Sequence, residues 1–342
     1  MSNTIRLPAE WEVQDGVLLA WPHHETDWAL NLEQTIEVYL EVVAAIARFE
    51  KVLILAPQPD RVNHALAEKG IDMTPVTVIE MNTNDTWCRD YGPITVFVND
   101  QPCPLDFDFN GWGLKFAANH DNQVTRNLFE ARVLSGGHVR PGLTLEGGSI
   151  ESDGRGTLLT TSTCLLEKNR NPHLSRPQLE QQLMQQLGVH HLLWLDHGYL
   201  AGDDTDSHID TLVRLAPNDT LLYVRCDDPG DEHYPALKAM EQQLNNLCTR
   251  KGKPFNLIPL PWPRPKFDAQ QNRLPATYAN YLTINDAVLV PTYADPADEV
   301  ALATIGGVFQ DREVIGIDCR DLILQHGSLH CITMQLPKGV LL

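Results

Sequence analysis

The chain has 342 residues, 26 Lys+Arg against 45 Asp+Glu, a formal net charge of −19, and 43% hydrophobic and 21% charged residues. So few cations argue against a basic face that neutralises phosphates, and therefore against nucleic acid, and against a polybasic membrane anchor. The composition is that of a folded chain rather than a disordered one, and the length suffices for a sizeable core.

The opening residues 1–11 carry no basic stretch followed by an apolar one, so no secretory leader is expected. No run approaches the ~18 apolar residues of a membrane span, and a cytoplasmic protein is expected. Apolar residues 17–21 predict a strand. Residues 32–48 have apolar positions at helical spacing and lead into a short apolar run at 51–55. A further run at 94–98 ends at Asn99-Asp100, a hairpin signal. The same shape recurs at 149–161 around Asp153-Gly154, at 209–224 around Ala216-Pro217-Asn218-Asp219, and at 280–290 around Asn285-Asp286. Helical patterns at 178–187, 236–247 and 296–308 alternate with these hairpins, and each is followed by an apolar run, at 191–195, 256–260 and 312–317. The Pro-dense stretch 259–265 reads as a stiff extended loop. Hairpin, helix and strand repeat every 60 to 70 residues, which predicts five ββαβ-like modules around an axis in one α/β domain covering 1–342. An open α/β sheet is the alternative.

Seven cysteines, Cys88, Cys103, Cys164, Cys226, Cys248, Cys319 and Cys331, are widely spaced with no C-x-x-C, so neither a disulfide framework nor a zinc ribbon is expected. Four segments concentrate polar residues: 86–93 (Thr-Trp-Cys-Arg-Asp-Tyr-Gly-Pro), 145–150 (Leu-Glu-Gly-Gly-Ser-Ile), 203–210 (Asp-Asp-Thr-Asp-Ser-His-Ile-Asp) and 326–333 (His-Gly-Ser-Leu-His-Cys-Ile-Thr). Each precedes a predicted strand at a corresponding place in its module, so an axial arrangement would bring them together. His208 and Asp210 are two apart. On a strand they would face one side, whereas on a helix they would diverge by about 200°, so the extended reading makes the pair useful. Cys331 is a candidate nucleophile if something stabilises its thiolate, because a free thiol of pKa ~8.5 is mostly protonated at neutral pH. No P-loop, dinucleotide fingerprint or nucleophile elbow occurs, so neither cofactor nor metal is expected.

These segments, with residues 8–12 (Pro-Ala-Glu-Trp-Glu), 20–22 (Ala-Trp-Pro), 109–113 (Phe-Asn-Gly-Trp-Gly) and 169–172 (Asn-Arg-Asn-Pro), resemble the agmatine deiminase and bacterial peptidyl-arginine deiminase family of the guanidine-modifying superfamily. The resemblance runs over nearly the whole chain. It implies a pentein-like propeller of five ββαβ modules with pseudo-fivefold symmetry, and hydrolytic deimination of a small cationic guanidino substrate. Agmatine, giving N-carbamoylputrescine and ammonia on a route to putrescine, is the first choice. Deimination of arginine in peptides, amidino transfer, and a non-catalytic guanidino-binding protein are the alternatives. The resemblance further implies Cys331 as nucleophile, His208 as general acid/base, Asp90 and Asp210 as the carboxylates gripping the guanidinium, and Glu146 as the remaining acid. Two carboxylates suit a planar guanidinium because each can accept two parallel N–H bonds. Around this set, Trp87 and Trp112 are candidates for stacking on the cation, and Asp204 for the mouth of the site. Arg89 reads as structural, with a local Arg89–Asp90 ion pair as the plain alternative for Asp90, and His330 reads as packed. A homo-oligomer is left open. The chain departs from the agmatine pattern at Ser207, at 326–329 and at Met334-Gln335, positions that bear on the substrate rather than the reaction.

Overall fold

The computed structural model describes residues 4–342; the first three residues of the stretch read as leaderless, and of the 1–342 span, lie outside it. Five sheets of three or four strands account for nearly all the strand structure, with a two-stranded ribbon, Lys266–Phe267 with Arg273–Leu274, beside them.

Three of the sheets share one plan. An antiparallel hairpin is followed by a helix, and the next strand then returns parallel to the hairpin's second strand. These are Ile150–Ser152, Thr157–Thr161 and His191–Leu195; Val213–Ala216, Thr220–Val224 and Asn256–Leu260; and Leu282–Ile284, Ala287–Thr292 and Glu313–Asp318. A fourth sheet has its hairpin, Ile94–Val98 with Gln101–Leu105, but the returning strand shrinks to isolated parallel bridges such as Leu105 with Val139, and Ile5–Arg6 fills the other edge. The fifth is closed by both ends of the chain: Thr333–Pro337 pairs antiparallel with Gln14–Ala20, which runs parallel to Lys51–Ala56 and then Val76–Glu80.

The turn chemistry explains the hairpins. Asn99 and Asp100 both adopt left-handed φ, 50° and 62°, the mirror-image geometry that matches strand twist across a two-residue loop. Asn218 and Asp219 do the same at 62° and 55°. The helices Leu32–Ile46, Arg176–Leu187, Tyr234–Leu244 and Asp298–Val308 fall within a few residues of the periodic stretches. Arg176–Leu187 carries a capping box from Ser175 and Gln178 and stops at Gly188, φ 66°. A Cβ on Gly188 would sit 1.9 Å from the Ile5 carbonyl, so the chain can cross there only over glycine. Helices Pro59–Glu68 and Val124–Glu130 and the strand Val76–Glu80 were not predicted. The helices bury few side chains, Val62 and Leu66 in one and Val124, Thr125 and Leu128 in the other, and the strand buries none fully.

The middle strands are buried on both faces, as in Ala287–Val290 and Val17–Ala20, which is why they read as continuous apolar runs. Leu289 is fully buried in such a strand. Leu289→Ala should lower stability by about 2–5 kcal/mol, seen as a lower urea midpoint with an unchanged slope.

Candidate active site

The four polar segments each end where a sheet begins, before Ile94, Ile150, Val213 and Thr333. They bring Asp90, Glu146, His208, Asp210 and Cys331 into one cluster, all of it buried. A cleft of about 760 Å³ opens onto Asp90, His208 and Cys331, and its walls include Trp87, Trp112, Phe116 and His326. Asp210 and Glu146 stand one layer deeper.

Asp90 accepts from the Gly148 amide at 2.9 Å and from the Trp112 indole N–H at 2.8 Å. Gly148 has to be glycine: a Cβ would lie 2.6 Å from His208 Nδ1, 2.9 Å from Asp90 Oδ1 and 3.1 Å from Asp210 Oδ2. Trp112 reaches Asp90 from a run of four left-handed residues, Gly111 to Leu114, with φ of 68°, 54°, 79° and 68°. Bulky residues avoid this region, at a cost of about 1–3 kcal/mol each. The Asn110 side chain, which accepts from the Gly113 amide at 2.9 Å, helps hold the turn.

His208 Nε2 lies 2.8 Å from Glu146 Oε2, and its Nδ1 faces Asp90 at 3.7 Å. Glu146 is gripped from behind by Arg170, whose Nε donates to both its oxygens at 3.0 Å. Cys331 Sγ is 3.4 Å from Asn280 Oδ1 and 3.9 Å from Asp210 Oδ2. Glu146, Cys164 and His208 present oxygen, sulfur and nitrogen atoms all within 4.8 Å of one another. A cation there would have to displace the Arg170 guanidinium, so the group works as an ion-paired cluster rather than as a metal cage.

Electrostatics follow from burial and proximity. Burial, with the charges of Asp210 and Asp90, pushes the Cys331 thiol well above its usual range. Burial, with Glu146 and Asp210 nearby, raises Asp90 to about 6 against the pull of His208 and Trp112. Burial works against a charged His208, but Asp90, Cys164 and Glu146 outweigh it and hold the imidazolium well above its usual range. Asp210, despite burial, is kept low by its bond to His330, and Glu146 by His208 and Arg170.

Two readings need correction. His208 and Asp210 do not lie on a strand: Ile209–Thr211 form a 3-10 turn and the strand starts at Val213. Asp206 and Ser207 are left-handed, φ 69° and 63°, and the Thr205 and Thr211 hydroxyls bond the His208 backbone, so the chain coils here. The two side chains still meet, in the space around Gly148. The alternative of an Arg89–Asp90 ion pair fails, because Arg89 turns away to Glu10, Gln335 and the His330 carbonyl. Trp112 offers Asp90 its N–H while its ring packs edgewise against Phe109 and Phe116. Trp87 lines the cleft with its ring against Trp28 and Gly327. Asp204 lines the cleft as expected.

The sequence reading passed over Asn280, Arg170 and Cys164 as site residues, and Asp27 and Asp85 in the cleft wall. Asn280 had a readable signal. It stands before Leu282, the place in its module where the other four segments stand in theirs.

The family model for the Porphyromonas-type peptidyl-arginine deiminase matches residues 6–337. The chain is 34% identical to the agmatine deiminase of Pseudomonas syringae pv. tomato over 98% of this chain and 96% of that one. Among solved structures, a candidate arginine deiminase of Porphyromonas gingivalis superposes with a TM-score of 0.94 at 48% identity, covering 99% of this chain and 100% of that one. The C. jejuni agmatine deiminase with substrate bound gives 0.92 at 37%, covering 99% and 98%.

The buried thiol carries a direct test. Iodoacetamide should modify Cys331 slowly near neutral pH and faster only in alkali, as followed by peptide mass mapping. Asp90→Asn or Asp210→Asn, each removing a negative charge, should move that rise to lower pH.

Proposed function

This chain belongs to the Porphyromonas-type peptidyl-arginine deiminase family, and from that membership we propose that it hydrolyses agmatine to N-carbamoylputrescine and ammonia. Asp90 and Asp210 bind the guanidinium and fix its plane. The arriving cation offsets the two carboxylate charges that keep the thiol protonated, so binding itself favours loss of the thiol proton to solvent and the Cys331 thiolate. The thiolate adds to the central carbon. His208, held as imidazolium by Asp90 and Glu146, gives its proton to the departing nitrogen, and ammonia leaves an amidino-cysteine adduct. His208 then takes a proton from water, which attacks the same carbon, and the C–S bond breaks to release the ureido product and the thiol. Proton transfer by a placed group is worth about 10²–10⁴ in rate. Glu146 acts through His208, with Arg170 keeping it ionised. The fold reading that goes with this treats the five sheets as blades about a pseudo-fivefold axis in one domain. It is supported by the position of the four site segments, and of Asn280, each leading into a strand of a different sheet, at Ile94, Ile150, Val213, Thr333 and Leu282.

The observation that favours agmatine over peptidyl arginine is the wall of the cleft. Beyond Asp90 it carries Asp27, Asp85, Asp203 and Asp204, and neither lysine nor arginine among the described residues. Lys115, nearby, is spent on Asp206 and the Asp204 carbonyl. Burial and Asp27 push Asp85 up to about 7, and burial and Asp203 raise Asp204. The wall is thus richer in acids than in cations, suited to the far ammonium of agmatine and unsuited to the carboxylate of a C-terminal arginine.

Cys331→Ala should abolish ammonia release from agmatine, and release that survives it would refute the mechanism. Asp85→Asn and Asp204→Asn should raise KM for agmatine about 10- to 100-fold, the worth of a charged hydrogen bond. They should leave KM for butylguanidine, which lacks the ammonium, nearly unchanged. Because the Asp90 carboxylate is the binding form, kcat/KM should fall as pH drops through about 6. A profile flat across that range would count against its role.

A further inference from the structure

The two oxygens of Asp210 live in different surroundings. Oδ2 is crowded, with His330 Nδ1 at 2.8 Å, Asn280 Nδ2 at 3.2 Å and Cys331 Sγ at 3.9 Å. Oδ1 is buried and has no hydrogen-bond partner among the described residues. An unmet buried acceptor is costly, so this oxygen is held in reserve for something that arrives. A carboxylate bound at neither oxygen would turn about its Cβ–Cγ bond; a strong bond at one oxygen sets the direction of the other.

The group that makes that bond is itself fixed. His330 is fully buried, and its Nε2 lies 2.9 and 3.1 Å from the two Glu10 oxygens and 3.1 Å from Arg214 Nη2. Glu10 in turn is clamped by Arg89, Arg214 and Gln335. A continuous chain of hydrogen bonds therefore runs from the N-terminal loop, through the imidazole beside the nucleophile, to the floor of the site.

We propose that His330 is a positioning residue for deimination: its Nδ1–H, braced through Nε2 by Arg214, which Glu10 in turn holds, keeps Asp210 Oδ2 in place so that Oδ1 points at the substrate guanidinium. This rests on the deiminase reading of the site. Burial, Arg214 and Arg89 bias the ring toward its neutral form. With the proton on Nδ1, Arg214 supplies the donor to Nε2, and the neutral tautomer satisfies both sides of the ring.

Two amides divide the ring's functions. His330→Asn places an amide nitrogen near the position of Nδ1 and should keep the bond to Asp210. His330→Gln reaches toward Glu10 and leaves Asp210 without its donor. With agmatine as substrate, His330→Gln should raise KM and lower kcat, with a combined loss near the ~10²-fold that follows displacement of a binding group, and His330→Asn should recover most of it. Equal impairment of both, or unchanged kinetics in His330→Gln, overturns the assignment. Absence of ammonia release by the wild-type protein would instead sink the underlying reading. A second measurement does not depend on the folding of either variant: the ¹⁵N-labelled imidazole of His330 is observed in Cys331→Ala protein. Its Nδ1–H resonance should be present and should shift when agmatine is added; a resonance that stays put overturns the proposal.

Discussion

A single buried guanidinium ties the architecture to the site. Arg214, 1% exposed, bonds Glu151 and Glu10, donates to the carbonyls of Ala279 and Tyr281, and lies 4.5 Å above the Tyr281 ring. Its partners come from two other sheets' lead-in and first-strand segments and from the N-terminal loop, so one side chain sets their mutual spacing. Charges this deep are tolerated only when fully paired, and removing one partner of such a group is far worse than never having built it. The same guanidinium touches the imidazole that bonds Asp210, so the scaffold and the buried acids behind the cleft share one set of hydrogen bonds.

Around the nucleophile the balance is reversed. Asp90, Asp210 and Glu146 crowd one buried space, and Asp90 is raised by burial and by its two acid neighbours against the pull of His208. Burial with the Asp210 and Asp90 charges raises the Cys331 thiol, so under the proposed deimination a cationic guanidinium between the acids would favour the thiolate where the group to be attacked lies. Five of the seven cysteines are buried, but among them only Cys331 lines this cleft.

Much of this was legible along the chain because turns and lead-ins are local. Asn99-Asp100 announces a hairpin from two residues, and the four polar segments mark the strand starts to which they are attached. What was not legible depends on contacts across the fold. The coil at 209–211 is imposed by Thr205, Thr211 and two left-handed residues against a β-rich sequence. Arg170 reaches Glu146 from 24 residues away, and Glu10 reaches His330 from 320 residues away. Asp27 lines the cleft from the start of the 3-10 helix Asp27–Leu30, with no motif around it, and Asp85 from the residue just ahead of the 86–93 segment. Asn280 was the one omission that the repeat itself could have exposed.

The pairing of Thr333–Pro337 with Gln14–Ala20 has a consequence for how the molecule comes into being. The nucleophile lies two residues ahead of the strand that closes the sheet, and its neighbours Asp90, His208 and Asp210 are all translated earlier. A growing chain can form its middle sheets on the ribosome, but until the last strand is made their acids face a site that lacks Cys331. The cluster is complete only once these two strands pair across nearly the whole chain, the kind of non-local contact that forms slowly in folding.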